Sequence, residues 1–188
     1  MNNGFKLTRR QFLVGTSATM ATSLVTPSIA KAQTPVKALS LYNTHTGEFF
    51  KEAYCEHGCY IKESIAKINH IMRDWRTNEI TQMDVKLIDL LHHLHQKIGN
   101  NKPFEIISAY RCPRTNSMLR EAGNHVAKNS FHLKGQAIDI QMSGFNLQYL
   151  RDAAYQTNAK GVGYYPSSGF IHVDVGHRAH KKNLQARW

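Results

Sequence analysis

A chain of 188 residues with 41% hydrophobic residues is long enough for one domain with a buried core, which excludes a disordered protein. Its 24 Lys and Arg against 13 Asp and Glu give a formal net charge of +11. Such a balance favours anionic surroundings, which in a cell envelope are wall polymers, lipid head groups and anionic peptides.

The first 32 residues have the layout of an export signal. Two adjacent arginines, Arg9 and Arg10, precede a modestly apolar run that ends in a small-residue pattern at Ala32. The run is too short and too rich in Thr and Ser to span a bilayer stably. We therefore expect a twin-arginine signal peptide at 1–32, cleavage after Ala32, a periplasmic domain at 33–188 and no stable membrane insertion of that domain. An uncleaved membrane anchor is the alternative.

Loss of that segment would remove four basic residues and leave 20 against 13 acidic ones, a net charge of +7. Nucleic acid is a competing partner for so basic a domain. Export removes the opportunity, so we expect no nucleic-acid partner.

The three cysteines would enter an oxidising compartment. Cys55 and Cys59 lie four positions apart and could close a small loop, which would leave Cys112 unpaired. We treat all three as non-catalytic.

Apolar periodicity predicts the elements of the domain in chain order. Strands are predicted at 38–43, 49–54, 104–110, 161–165 and 169–175, and another in the run that carries Asp139. Helices are predicted at 61–75, 84–98, 113–121 and 146–156. The expected class is α+β, with helices packed on a small, mostly antiparallel sheet that carries a zinc site.

Three histidines on the second helix, His92, His93 and His95, are inviting as metal ligands. His92 and His95 share a face, but His93 points elsewhere and no carboxylate of suitable spacing accompanies them. A solvated or partly packed histidine face is the better interpretation.

Two other segments place histidine and aspartate where chemistry is expected. In the last strand, alternation puts Phe170, His172 and Asp174 on one face and apolar residues on the other. His132 stands seven residues before Asp139, with a turn between them. A hydrogen-bonded pair on each segment is the simpler alternative. If the three side chains His132, Asp139 and His172 meet, they match the donors of zinc and leave a fourth position open.

The run from Ser130 to Asp139, followed by a strand bearing His172 and Asp174, resembles the superfamily of zinc D-Ala-D-Ala carboxypeptidases and murein endopeptidases. The hedgehog signalling domain shares its fold. The resemblance implies zinc bound by His132, Asp139 and His172.

It also implies that Arg111, in Ser-Ala-Tyr-Arg, helps to hold substrate or the developing oxyanion, where the alternative is a structural ion pair. Ser130 could hydrogen-bond substrate or cap the turn before the ligand.

One departure concerns the general base. Carboxypeptidase relatives place a catalytic acid three residues before the last histidine ligand, and here Gly169 stands at that position. Asp174 is our candidate, with His45 and His177 in reserve. Asp174 could instead orient His172 or bind the metal.

The expected function is a periplasmic zinc metallopeptidase that hydrolyses peptide cross-links of peptidoglycan, by resemblance those involving diaminopimelate, with the 3-3 type as a candidate. The alternative is a zinc-containing module that binds peptidoglycan stem peptides without hydrolysing them.

Overall fold

The computed structural model describes residues 36–100, 102–123, 126–178 and 185–188. The predicted signal peptide at 1–32 and its cleavage lie outside these residues. The strands are β1 (Lys37–Asn43), β2 (Phe49–Glu56), β3 (Cys59–Tyr60), β4 (Phe104–Ser108), β5 (Ala137–Gln141), β6 (Gly161–Tyr165), β7 (Phe170–Asp174) and β8 (Ala186–Arg187). The helices are α1 (Lys62–Ile71), α2 (Val85–Ile98), α3 (Pro113–Glu121) and α4 (Leu147–Tyr155), with a 3₁₀ helix at Phe131–Lys134.

The eight strands form one sheet in the order β3-β2-β1-β4-β5-β7-β6-β8. The expectation of a mostly antiparallel sheet needs correction, because the sheet is mixed: β1 pairs with β4 in parallel and β6 with β8 in parallel. β1 and β4 are parallel because the chain between them includes α1 and α2, and such a crossover returns the strand in the same direction.

The core lies on one face of this sheet. α2 packs against β1 and α4, and α4 packs against β6 and β7. Fully burying one aliphatic side chain stabilises a fold by about 1.5–3 kcal/mol, so this face supplies much of the stability. Its fully buried members from β5, β7 and α2 include Ile138, Ile140, Ile171, Val173, Leu87, Ile88, Leu91 and Leu94. The opposite face of β5 and β7 is therefore left for polar residues.

The second helix begins and ends as predicted. The Asp84 carboxylate accepts a hydrogen bond from the backbone N–H of Lys86 at 3.0 Å, and Gly99 ends the helix with φ +68°. None of the described helices is long and apolar enough to cross a bilayer.

The first helix ends four residues earlier than predicted, at Ile71. The Asp74 carboxylate accepts backbone N–H groups from Arg76 and Cys112, which holds the chain in a turn where the apolar spacing alone predicted a continued helix. This turn carries Trp75 and Arg76.

All three cysteines are free thiols, so the structure contains no bridge between Cys55 and Cys59. The sulfur of Cys112 instead caps α3 and accepts the backbone N–H of Thr115 at 3.4 Å.

Candidate metal centre

Three side chains singled out in the sequence converge on the polar face of the sheet. Asp139 of β5 stands directly opposite His172 of β7, so their side chains leave the sheet at one point. His132 reaches the same point from the 3₁₀ helix that precedes β5. Its Nε2 lies 3.1 Å from His172 Nδ1 and 3.3 Å from Asp139 Oδ1, and these last two atoms are 2.8 Å apart.

The local backbone fixes the position of His132. Ser130 caps the 3₁₀ helix with its hydroxyl, which accepts the backbone N–H of His132, and Gly135 ends the helix with φ +63°. A Cβ atom at Gly135 would lie 2.9 Å from the backbone oxygen of Gln82, so only glycine fits this turn. The Lys-Gly turn between His132 and Asp139 is thus explained by close packing.

The partners of the two imidazoles determine which nitrogens face the cluster. His132 Nδ1–H donates to the backbone oxygen of Ala109 at 2.6 Å, which leaves Nε2 as a lone-pair donor. His172 Nε2–H donates to Asp174 Oδ2 at 3.2 Å, which leaves Nδ1 in the same state. Both lone pairs point toward Asp139, as metal ligands require.

The spacing of the three ligand atoms suits a small divalent ion. Tetrahedral zinc with bonds of about 2.0–2.1 Å separates its ligands by roughly 3.3 Å. The distances of 2.8–3.3 Å within the cluster lie close to that value. His132, Asp139 and His172 form the one group of metal-binding geometry in the part of the chain that the structure describes. The residues therefore fit a zinc ion, and their role as ligands stays a prediction.

The electrostatics of the cluster favour one added positive charge. Burial opposes the ionised form of Asp139, but attraction and hydrogen bonds from His132 and His172 hold its pKa well below the usual range. Burial also opposes protonation of His172, yet hydrogen bonds to Asp139 and Asp174 raise its pKa to about 9. Burial lowers the pKa of His132. A proton on His172 and a metal ion are thus alternative ways to neutralise these carboxylates.

Asp174 lies on the far side of the His172 ring from Asp139. Its side chain has no exposed surface, and its two oxygens accept Arg178 Nη1 and Nη2 at 2.9 and 2.6 Å as well as the backbone N–H of Gly176 at 3.0 Å. Burial opposes its charge, but hydrogen bonds from His172 and Arg178 lower its pKa. The geometry does not favour the expected role of Asp174 as general base, because its oxygens are occupied and face away from the cluster. It favours the alternative in which Asp174 orients His172.

An open cleft of about 850 Å³ lies in front of the cluster. Arg111 lines it and is only 8% exposed; its Nη2 donates to the Ser130 hydroxyl at 3.4 Å, and its Nε has no partner among the described residues. No carboxylate of these residues pairs with Arg111, so the structural ion pair considered as its alternative role is not formed. The Ser130 hydroxyl accepts hydrogen bonds both from the backbone N–H of His132, as the cap of the 3₁₀ helix, and from Arg111.

The position where carboxypeptidase relatives carry an acid holds Gly169 with φ +75°, a backbone conformation that is strained for any acid. Of the two reserve histidines, His177 is exposed outside the cleft, whereas His45 lines it. His45 Nε2–H donates to the backbone oxygen of Ile107 at 3.0 Å, which leaves Nδ1 free to accept a proton. The register of β4 shifts between Ile106 and Ser108, at the residue whose backbone oxygen His45 contacts.

Sequence reasoning missed Arg178 and Trp188. Trp188 lines the cleft, its ring centre lies 5.4 Å from that of His172, and its Nε1 donates to the Tyr165 hydroxyl at 2.7 Å. The sequence feature that indicates close packing here is the pair of glycines in β6, since glycine within a strand often marks a close approach of other groups. A Cβ at Gly161 would collide with Asp174 Oδ2, and one at Gly163 would lie 2.7 Å from Trp188 Nε1.

A mixed α/β domain that presents a His–Asp–His cluster to an open cleft has the layout of a metal-dependent hydrolase. Comparison with known sequences identifies the enzyme family. The family described as Peptidoglycan L,D-endopeptidase MepK matches residues 31–180, and the chain belongs to this family. The resemblance to the murein endopeptidase superfamily is confirmed.

Several relatives match over most of their length. The chain is 43% identical to Peptidoglycan L,D-endopeptidase MepK of Escherichia coli strain K12 over 178 residues, which cover 94% of this chain and 98% of that protein. The protein of the same name from Shigella flexneri matches equally well. A probable peptidoglycan L,D-endopeptidase MepK from Haemophilus influenzae is 37% identical over 150 residues, 79% of this chain and 81% of the relative.

Proposed function

We propose that this protein is a zinc-dependent endopeptidase that hydrolyses peptide cross-links of peptidoglycan in the periplasm, after export through the signal at 1–32. The convergence of His132 Nε2, Asp139 Oδ1 and His172 Nδ1 at one end of the cleft carries the proposal. Membership of a family of peptidoglycan L,D-endopeptidases supports the substrate class and the reaction. By resemblance, the bond is one that involves diaminopimelate, with the 3-3 cross-link as first candidate.

His132, Asp139 and His172 would hold the metal ion. Zinc in a site with three protein ligands activates a water molecule at neutral pH and polarises a carbonyl group, which is the chemistry that amide hydrolysis requires. Asp174 accepts the Nε2–H of His172, which fixes the tautomer that presents the Nδ1 lone pair and holds the ring in place, and Arg178 holds Asp174 in turn. These two residues position the site and do not contact the substrate.

Arg111 and His45 supply the remaining functions. The Arg111 guanidinium is charged, largely desolvated and lines the cleft, so it can bind the scissile carbonyl oxygen as negative charge develops there. His45 Nδ1 can accept the proton of the attacking water and return it to the leaving amine. Ser130 keeps the Arg111 side chain directed at the cleft through its hydroxyl.

The test is digestion of purified cross-linked muropeptide dimers by the zinc-loaded protein, followed by chromatography and mass spectrometry. We expect monomers from the wild type, and intact dimers with a chelator or with His172→Ala. Dimers that stay intact with zinc-loaded wild type, yet are retained by it, would contradict hydrolysis. They would support the non-hydrolytic binding module, whose best argument is the absence of an acid at Gly169.

A further inference from the structure

Arg76 is a cation in the wall of the cleft without a carboxylate partner. All 13 Asp and Glu of the chain fall within the described residues, and none of them forms an ion pair with Arg76. Within the same described ranges, no side-chain hydrogen bond uses its guanidinium either. The five N–H donors of this group are therefore available to a ligand.

A stack of rings holds the guanidinium in place without using those donors. Its carbon lies 4.1 Å from the centre of the Trp75 ring, and the Trp75 ring stacks on His45 at 4.1 Å with 15° between the planes. His45 is tied to the backbone of Ile107. Because the stack restrains the side chain in advance, less conformational entropy is lost when an anion binds.

Arg111 adds a second cation to the same cleft. Arg111 is only 8% exposed, and no carboxylate of the described residues pairs with it. A third lining arginine, Arg178, is already neutralised by Asp174. Two unneutralised guanidinium groups that line one cleft repel each other unless an anion lies with them. The cleft outside the cluster thus has a positive charge that a carboxylate would balance.

We propose that Arg76 is a specificity-determining residue that binds a free carboxylate of the stem peptide, on a residue that flanks the scissile amide. This inference rests on the proposed function, because the stem peptide is the substrate that brings the carboxylate. Amidation of that carboxylate removes its charge and one acceptor oxygen. The protein should therefore discriminate between free-acid and amidated cross-links, and Arg76 should be the residue that makes the distinction.

The experiment compares two synthetic cross-linked dimers that differ only in whether this carboxylate is free or amidated. With zinc-loaded wild type, we expect kcat/KM to be about tenfold higher on the free acid, the effect of one charge-assisted hydrogen bond. Arg76→Gln should lose this factor through KM on the free acid and match the wild type on the amide. Arg114→Gln is the matched control, since Arg114 is exposed on α3 and does not line the cleft. It should behave as wild type on both dimers.

Equal loss on both dimers in Arg76→Gln, or no loss on either, would overturn the role of Arg76 while leaving the proposed hydrolysis intact. If the wild type cleaves neither dimer, the hydrolytic function fails instead. Calorimetric binding of the same intact dimers then tests Arg76 by itself. About tenfold weaker binding of the free acid to Arg76→Gln supports the role, and equal dissociation constants refute it.

Discussion

The substitution Asp174→Asn would keep the size of the side chain and remove the negative charge to which both Arg178 and His172 are hydrogen-bonded. Asp174 makes four hydrogen bonds with no exposed surface, and Asn turns one acceptor into a donor that faces other donors. Breaking a buried ion pair costs about 3–5 kcal/mol. The Arg178 side chain is 24% exposed and can recover some hydration, so we expect the low end, about 3 kcal/mol.

The same change should weaken zinc binding, because His172 loses the carboxylate that fixes its tautomer. Loss of such a partner typically lowers metal affinity about 10–100-fold. Denaturant unfolding of the zinc-free protein measures the first effect, and competition with a chromogenic chelator measures the second. Asp152→Asn is the control, because Asp152 pairs with Arg151 at the surface with 49% of its side chain exposed. Its unfolding free energy should change by less than about 1 kcal/mol.

The opposite result would refute this reasoning. If Asp174→Asn keeps both its zinc affinity and its unfolding free energy and loses only turnover, then Asp174 is the general base and not the residue that positions His172.

Two further predictions concern other histidines. His45→Gln should lower kcat about 10²–10⁴-fold with zinc content unchanged, as loss of a general base does; turnover at the wild-type rate would remove His45 from that role. His95 stacks on Phe104 at 3.8 Å, and burial lowers its pKa to about 4, so protonation favours the unfolded chain. Its contribution is complete above pH 6.5 and is lost as pH falls from about 6.5 to 4. Over that range the wild type should lose about 3 kcal/mol of unfolding free energy that His95→Gln keeps, as measured in urea titrations, and parallel curves would contradict it.

Local patterns predicted the parts of the fold that depend on local chemistry. Period-two alternation predicted the faces of β7, and apolar spacing predicted α2 at 84–98, because these signals lie within a few residues of the structure they specify. The end of α1 was missed because the Asp74 carboxylate bonds to Cys112, which is 38 positions away. The parallel pairing of β1 with β4 depends on a long crossover and has no local signal either.

The candidate site divides in the same way. The resemblance to a known superfamily predicted that His132, Asp139 and His172 form one site. The register of β5 with β7 places Asp139 opposite His172. The role of Asp174 was ambiguous, since alternation places it on the face of His172 but says nothing of Arg178, which reaches back from beyond the strand. The placement of Arg76 in the cleft could not be predicted from the sequence. It depends on the turn after Ile71, where the apolar spacing predicted a continued helix.

Metal content measured by mass spectrometry on the purified protein tests the central claim most directly. The account predicts about one zinc per chain in the wild type and in His93→Ala, which changes an exposed histidine of α2. It predicts nearly none in His132→Ala, which lacks one of the three proposed ligands. Stoichiometric zinc in His132→Ala, or a wild type that binds no zinc when it is supplied, would contradict the account.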